Sequence, residues 1–188
     1  MSSSGAKLSR SPSGAQLKTT ASSQSVTVVG IDPGLRITGY GVIRACEGKI
    51  QLLEAGIVRA VASRPLEQRI QEIYDGVAEV VRDHQPDFVA LEQLFSHYER
   101  PKTAILMGHA RGAICLAAAQ VNAPVHAIEP TRVKKIMTGN GHAPKHQMQQ
   151  AVRLQLGLKE APEPADVADA LAIAICVYHQ RCNPLASS

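Results

Sequence analysis

The chain has 188 residues, of which 45% are hydrophobic and only 3% aromatic, so it can form one domain with a mainly aliphatic core. No apolar run approaches the roughly 18 residues that a membrane-spanning helix needs, and the four cysteines contain no C-x-x-C pair, which argues against a disulfide framework or a cysteine-bound zinc. The net charge of +4 is weak evidence for a nucleic-acid partner, because residues 1–25 hold three basic residues and no acid, which leaves 17 basic and 16 acidic residues in the rest of the chain.

Residues 1–25 contain nine serines and too few apolar residues to pack, so we predict a disordered tail. Residues 26–182 are predicted to form the folded domain, and residues 183–188 a short C-terminal tail. The first segment lacks the apolar centre of a secretory signal, and it lacks the dense arginines and clear amphipathic period of a transit peptide. Together with cysteines that lie in apolar runs, this pattern predicts a cytoplasmic protein.

Strands are predicted first along the folded part of the chain. Residues 26–31 are rich in β-branched side chains and end at the turn Asp32-Pro33-Gly34. Residues 38–45 and 49–59 follow at hairpin spacing, so the three strands predict an antiparallel meander. An amphipathic helix is then predicted over residues 65–84, where apolar residues recur at helical spacing.

The second half of the chain alternates strands with helices. Residues 87–92 are apolar on both faces, which is typical of a central strand, and residues 125–128 form a short fifth strand. Helices are predicted over residues 102–121, 131–138, 145–156 and 166–179. This order predicts an α/β fold in which helices cover a mixed sheet.

Four carboxylates stand at the ends of apolar elements. Asp32 ends the first strand, Glu92 ends the fourth, and Asp166 and Asp169 open the last helix. The carboxyl ends of central strands gather ligands in α/β sheets, and residues three apart share one face of a helix. The four acids can therefore converge on one place.

Each acid also has a structural interpretation. Asp32 can bond its own backbone in a turn, and Glu92 can be a solvated strand end. Asp166 can cap the last helix, with Asp169 in the first turn. A cap explains Asp169 less well, because capping boxes favour Glu or Gln at that position.

The last helix is apolar nearly all round and should be buried, so an ionised acid on it needs a partner. Its own sequence offers no matching Lys or Arg. Oxygen ligands from separate elements suit Mg²⁺ or Mn²⁺, and four carboxylates suit two ions that act on a phosphodiester. The acids therefore favour a metal-dependent nuclease.

A basic stretch supports that hypothesis. From residue 130 to residue 159 there are six basic residues and no acid, which can attract phosphate or can simply be a solvated face. Lys135 is a candidate for DNA binding from this local charge alone.

Several motifs together resemble one known family. Residues 30–43 (G-I-D-P-G-L-R-I-T-G-Y-G-V-I), 90–95 (A-L-E-Q-L-F), 108–112 (G-H-A-R-G) and 165–174 (A-D-V-A-D-A-L-A-I-A) are similar to the RuvC family, in its order and spacing. These enzymes are bacterial Holliday-junction resolvases. The resemblance covers about residues 26–178 and implies an RNase H-like α/β fold, with a five-stranded mixed sheet and helices on both faces.

The resemblance also implies roles for individual residues. It implies a catalytic set that binds two Mg²⁺ ions, with Mn²⁺ as a substitute; this set comprises Asp32, Glu92, Asp166 and Asp169. The role of Asp166 stays open between ligand, proton-transfer group and cap, because some members have His there. Phe95 corresponds to an aromatic residue used against bases near the junction, and Lys134 and Lys145 correspond to residues that contact phosphates.

The family further implies a homodimer that makes paired symmetric nicks in four-way DNA junctions, in association with a branch-migration motor. The small residues in segment 108–119 could allow close helix packing in such a dimer. Two other functions share part of this pattern. An actin-like sugar kinase also begins with G-I-D-x-G but needs a second lobe that 188 residues do not supply. A junction-binding module without metal would have no use for four acids.

Overall fold

The structure is a computed structural model that describes residues 25–94 and 101–182. The strands and helices in these residues are, in chain order, β1 (Val26–Asp32), β2 (Ile37–Cys46), β3 (Lys49–Arg59), α1 (Leu66–His84), β4 (Phe88–Glu92), α2 (Pro101–Gln120), β5 (Val125–Ile128), α3 (Pro130–Thr138), α4 (Lys145–Gln155) and α5 (Ala165–Cys182). Every element expected from the sequence is present. The largest difference is at the end of α5, which extends three residues further than predicted because its last residues favour helix and the next proline is Pro184.

The five strands form one mixed sheet in the order β3-β2-β1-β4-β5. The antiparallel pairs β1–β2 and β2–β3 confirm the predicted meander, and β4 runs parallel to both β1 and β5. Ile31 is the register partner of Leu91. The next residue on each strand is an acid, so Asp32 and Glu92 lie side by side where the two central strands end.

Helices cover both faces of the sheet, as expected. Side chains of a strand point alternately to opposite faces. Val28 packs in the core beneath α3, α4 and α5, whereas its neighbour Val29 packs in the core beneath α1 and α2. The layout is the α/β sandwich that the family resemblance implied.

Helix α5 is the most buried helix of the described part of the chain. Every residue from 167 to 178 is buried except Asp169. The expectation of a buried, nearly all-apolar last helix is therefore confirmed, and its one charged position within that run is the one that is not fully covered.

Two glycines allow α5 to lie directly on the sheet. A Cβ added at Gly30 on β1 would lie 2.2 Å from the Ala170 carbonyl oxygen, and one added at Gly39 on β2 would lie 2.1 Å from the Asp166 carbonyl oxygen. Any larger residue would force strand and helix apart. This close approach brings the first turn of α5 to the ends of the central strands.

Two other expectations concern the whole sequence. None of the helices in the described ranges is long and apolar enough to cross a membrane. All four cysteines are free thiols, but only Cys176 is buried, so the expectation of buried thiols holds for one of the four.

Candidate active site

The carboxylates of Asp32 and Glu92 meet at the ends of the parallel strands β1 and β4. Both side chains are largely but not fully buried, and a protonated Asp32 donates a hydrogen bond to Glu92. The turn and strand-end interpretations do not account for two acids in direct contact. The register of two neighbouring strands brings about this contact.

The first two turns of α5 carry the other two acids, Asp166 in the first turn and Asp169 just after it. The helix begins at Ala165, so Asp166 lies inside the first turn, two residues after Pro164 at the N-cap position, and the capping interpretation is wrong. Asp166 and Asp169 both act electrostatically on Asp32. The four predicted acids therefore converge from three elements.

A cleft of about 260 Å³ opens beside these acids. Three of the four acids line it, and Asp166 does not. Lys134 and Lys145, from α3 and α4, form its basic side. The lining residues are Asp32, Glu92, Pro130, Val133, Lys134, Lys145, Met148, Asp169 and Ile173.

Burial makes the acids of the cleft hard to ionise. Burial first, and then the charge and hydrogen bond of Glu92, raise the pKa of Asp32 from 3.8 to about 8. Burial also raises the pKa of Glu92 and of Asp169. Lys134 opposes both shifts only in part, and Lys145 opposes that of Asp169. The protein's own cations thus do not balance the acids.

This imbalance allows a test of whether the residues suit a metal ion. The salt bridges between described residues are Arg64–Glu72 and Glu54–His84. Neither of them includes an acid of the cleft. In ranges 25–94 and 101–182, no group of three His, Cys, Asp or Glu side chains is arranged so that it could hold a metal ion without rearrangement. The donors that line the cleft are nevertheless all hard carboxylate oxygens, which are the ligands that Mg²⁺ or Mn²⁺ prefers. The residues fit a divalent cation.

The other predicted binding residues are distributed unequally. Lys134 and Lys145 face the acids across the cleft, whereas the adjacent Lys135 is exposed and does not line it. Phe95 lies outside the described residues. The acid-free stretch therefore contributes two lysines to the cleft, and the candidate from local charge alone is not one of them.

The turn after Asp32 is held by side chains that sequence reasoning did not single out. The buried Thr38 hydroxyl donates to the Gly34 carbonyl (2.9 Å) and accepts from the Gly34 amide (3.2 Å). Arg69 on α1 donates two hydrogen bonds, of 3.2 and 2.6 Å, to the Leu35 carbonyl. These bonds restrict the backbone just beyond the first acid.

Sequence reasoning also missed Arg111 on α2 and the apolar floor of the cleft. Arg111 donates a hydrogen bond to the Glu92 carbonyl, and its charge favours ionised Glu92, lowering the pKa of that acid against the effect of burial. The motif G-H-A-R-G contained Arg111, but nothing in the motif indicates its partner. Val133, Met148 and Ile173 were identifiable only as apolar residues of helices.

The chain matches a known protein family over most of its length. The family described as crossover junction endodeoxyribonuclease RuvC matches residues 28–177. The RuvC protein of Rhodopirellula baltica is 54% identical over 172 residues, which are 92% of this chain and 97% of that protein.

Two solved structures of a RuvC protein are also similar to this chain. Thermus thermophilus RuvC is 40% identical, with a TM-score of 0.73, over 82% of this chain and 95% of that one. T. thermophilus RuvC in complex with Holliday junction substrate is 39% identical, with a TM-score of 0.76, over 83% of this chain and 95% of that one.

Proposed function

Because the chain belongs to the RuvC family of crossover junction endodeoxyribonucleases, we propose that it resolves four-way DNA junctions by paired nicks, in homologous recombination and DNA repair. The observation that carries this proposal is the cleft that three largely buried acids line together with two lysines. A relative of 39% identity has been solved with a Holliday junction. The substrate is a phosphodiester at the crossover of such a junction.

The reaction depends on divalent metal, which we propose to be two Mg²⁺ ions with Mn²⁺ as a substitute. Asp32, Glu92 and Asp169 would hold the metal, with Asp166 at its margin. Such ions supply an activated water and stabilise the charge on the leaving oxygen. Attack in line with the departing 3′ oxygen leaves 5′-phosphate and 3′-hydroxyl ends, which can be ligated.

The chain's own residues bind and orient the phosphate. Lys134 and Lys145 carry fixed positive charge on the wall opposite the acids, so they can hold the strand being cut. The apolar floor excludes water and strengthens these interactions. Because phosphate contacts release counterions, junction binding should weaken as salt rises.

We further propose a homodimer formed through α2. Ile105, Leu106 and Leu116 on this helix are exposed large apolar residues. Gly108 and Gly112 share the exposed side, and an added Cβ would meet nothing within 4 Å at either. Since a helical glycine costs about 0.5–1 kcal/mol relative to Ala, close approach of a second helix is a reason for having both.

A second copy fits this surface better than other occupants. An apolar groove of about 440 Å³ between α1 and α2 lies beside Leu116 and is lined in part by Ile70 and Ala113. A two-fold dimer would let each copy place its α2 against the other's groove. It would also set one cleft on each of two equivalent junction strands, which is what paired nicks require.

Two further expectations have narrower support. A branch-migration motor as partner rests on the family alone. A cytoplasmic location is supported by the four free thiols, which suit a reducing compartment.

The proposal is tested with a synthetic four-way junction labelled on each strand in turn. The native protein with Mg²⁺ should nick two strands symmetrically. Asp32→Asn should lower cleavage by more than the roughly 10–100-fold that loss of an outer-shell partner costs. It should bind the junction in EDTA about as well as the native protein does, because the lysines remain.

Asp83→Asn is the matched control, since Asp83 is exposed near the end of α1, away from the cleft. It should cut normally. A native protein that binds the junction well yet leaves it intact with both Mg²⁺ and Mn²⁺ is a junction-binding module, and the proposal is then wrong.

A further inference from the structure

We propose that Arg111 is a positioning residue for the cleavage reaction, which holds the end of β4 by its hydrogen bond to the Glu92 carbonyl and so fixes the direction of the Glu92 side chain. The inference rests on the proposed junction cleavage. It concerns a residue outside the four acids and the cleft lysines.

The peptide group between Glu92 and Gln93 is held from both ends. Its N–H, on Gln93, donates to the Ile128 carbonyl of β5 at 2.8 Å. Its carbonyl, on Glu92, accepts from Arg111. A shift of the strand end that tilts the Cα–Cβ bond of Glu92 must therefore move this peptide against hydrogen bonds on opposite sides of the strand.

The arginine replaces a donor that the sheet lacks. In the parallel register of β1 and β4, Ile31 pairs with Leu91, so the amide that would reach the Glu92 carbonyl belongs to the residue after Asp32. That residue is Pro33, which has no N–H. The D-P-G turn that shapes the first acid thus leaves a carbonyl of the second acid unpaired by backbone, and Arg111 satisfies it.

The position of Arg111 argues for action through Glu92. Lys134 and Lys145 line the cleft, but Arg111 does not. It reaches the strand end from α2, on the face of the sheet opposite α5. Its guanidinium is therefore placed to orient an acid and not to touch the phosphate that the cleft receives.

The test compares Arg111→Met, which removes charge and donors, with Arg111→Lys, which keeps a charge and a donor on a flexible stem. Single-turnover cleavage by Arg111→Met should fall about 10–100-fold, the effect typical of losing an outer-shell partner. The Mg²⁺ concentration for half-maximal rate should rise. Junction affinity in EDTA should stay within about twofold of the native protein, and Arg111→Lys should recover at least half of the lost rate on a logarithmic scale.

Arg181→Met is the matched control. Arg181 also makes a side-chain hydrogen bond, to His126 Nδ1, but it lies at the far end of α5, roughly 18 Å along the helix from Asp169. It should leave the rate and the Mg²⁺ requirement unchanged.

Two results would overturn the inference. One is native cleavage and Mg²⁺ requirement in Arg111→Met. The other is loss of junction affinity in EDTA with a smaller salt slope, which marks a direct phosphate contact. If Arg111→Met is unfolded by circular dichroism, Arg111→Lys decides instead. A soluble, folded Arg111→Lys variant should need more Mg²⁺ than the native protein, by a factor of less than ten, and an unchanged requirement would overturn the inference. If the native protein itself does not cut, the proposed function is wrong and the inference falls with it; a native protein that cuts separates the two.

Discussion

At the scale of single residues, Asp32 is the clearest case of an uncompensated group. It is largely buried beside Glu92 and close to both acids of α5, and its pKa is raised to about 8. A group whose pKa is higher in the folded protein than the ordinary 3.8 keeps a proton that the unfolded chain releases. Ionising it therefore destabilises the fold in the absence of a cation.

We expect a pH dependence of stability that reveals this. In EDTA, the free energy of unfolding should fall as pH rises from about 4 to about 8, and the contribution of Asp32 should level off above that, because both states are then ionised. Asp32→Asn should remove most of that slope and be the more stable protein at pH 8. Mg²⁺ should stabilise the native protein and have little effect on the variant.

Chemical denaturation across this pH range, with Asp83→Asn as control, measures the effect. If the free energy of unfolding has the same pH dependence in the native protein and in Asp32→Asn, then the pKa of Asp32 is not raised by folding.

At the scale of elements, the contact between α5 and the sheet decides whether the site forms. Gly30 and Gly39 let the helix backbone touch β1 and β2, and Asp166 lies at the closest point. An acid pair at i and i+3 is useful only if the helix start is held within about an ångström of its place. Small residues on the strands are thus part of the catalytic architecture without contacting a ligand.

Gly39→Ala tests this contact. The new methyl group would lie 2.1 Å from the Asp166 carbonyl oxygen, so the first turn of α5 must move away. We expect a loss of roughly 1–3 kcal/mol in the free energy of unfolding from overpacking. Cleavage should fall about 100-fold, the cost of a misplacement of about 1 Å.

The matched control is Gly141→Ala, where a Cβ would meet the Thr131 carbonyl at an ordinary 3.4 Å. It should change stability by less than about 0.5 kcal/mol. A stable, fully active Gly39→Ala variant would show that α5 tolerates displacement and that its acids are not held as described.

At the scale of the whole molecule, the proposed α2 dimer can be separated from the chemistry of one cleft. Leu116 is 55% exposed on α2, and Leu154 is 72% exposed on α4, away from that helix. Leu116→Glu would put a charge into the proposed interface. Burying an unpaired charge costs several kcal/mol, so the dissociation constant of the dimer should rise by at least about 100-fold.

Analytical ultracentrifugation should find Leu116→Glu monomeric at concentrations where the native protein and Leu154→Glu are dimers. On a junction, the Leu116→Glu variant should make single nicks that are not paired. A native protein that sediments as a monomer, or a Leu116→Glu variant that dimerises normally, would contradict the proposed interface.

Much of this architecture is predictable from local patterns along the chain. The strands and helices follow from hydrophobic periodicity, and the meander follows from short turns, because both are local properties of the backbone. The four acids were recognisable because each stands at the polar end of an apolar element. Asp169 was informative for a second reason, because a helix that is apolar nearly all round should not carry an acid that has no partner.

Other features depend on which elements become neighbours, and the sequence by itself did not decide them. It determined the acids, the elements and the family. Only the tertiary structure decided that Asp32 touches Glu92, that Lys134 and not Lys135 lines the cleft, and that Arg111 occupies the place of the amide that Pro33 lacks. The physical reason is that strand register and helix packing join residues far apart in sequence, whereas the patterns that can be read along a chain describe neighbours.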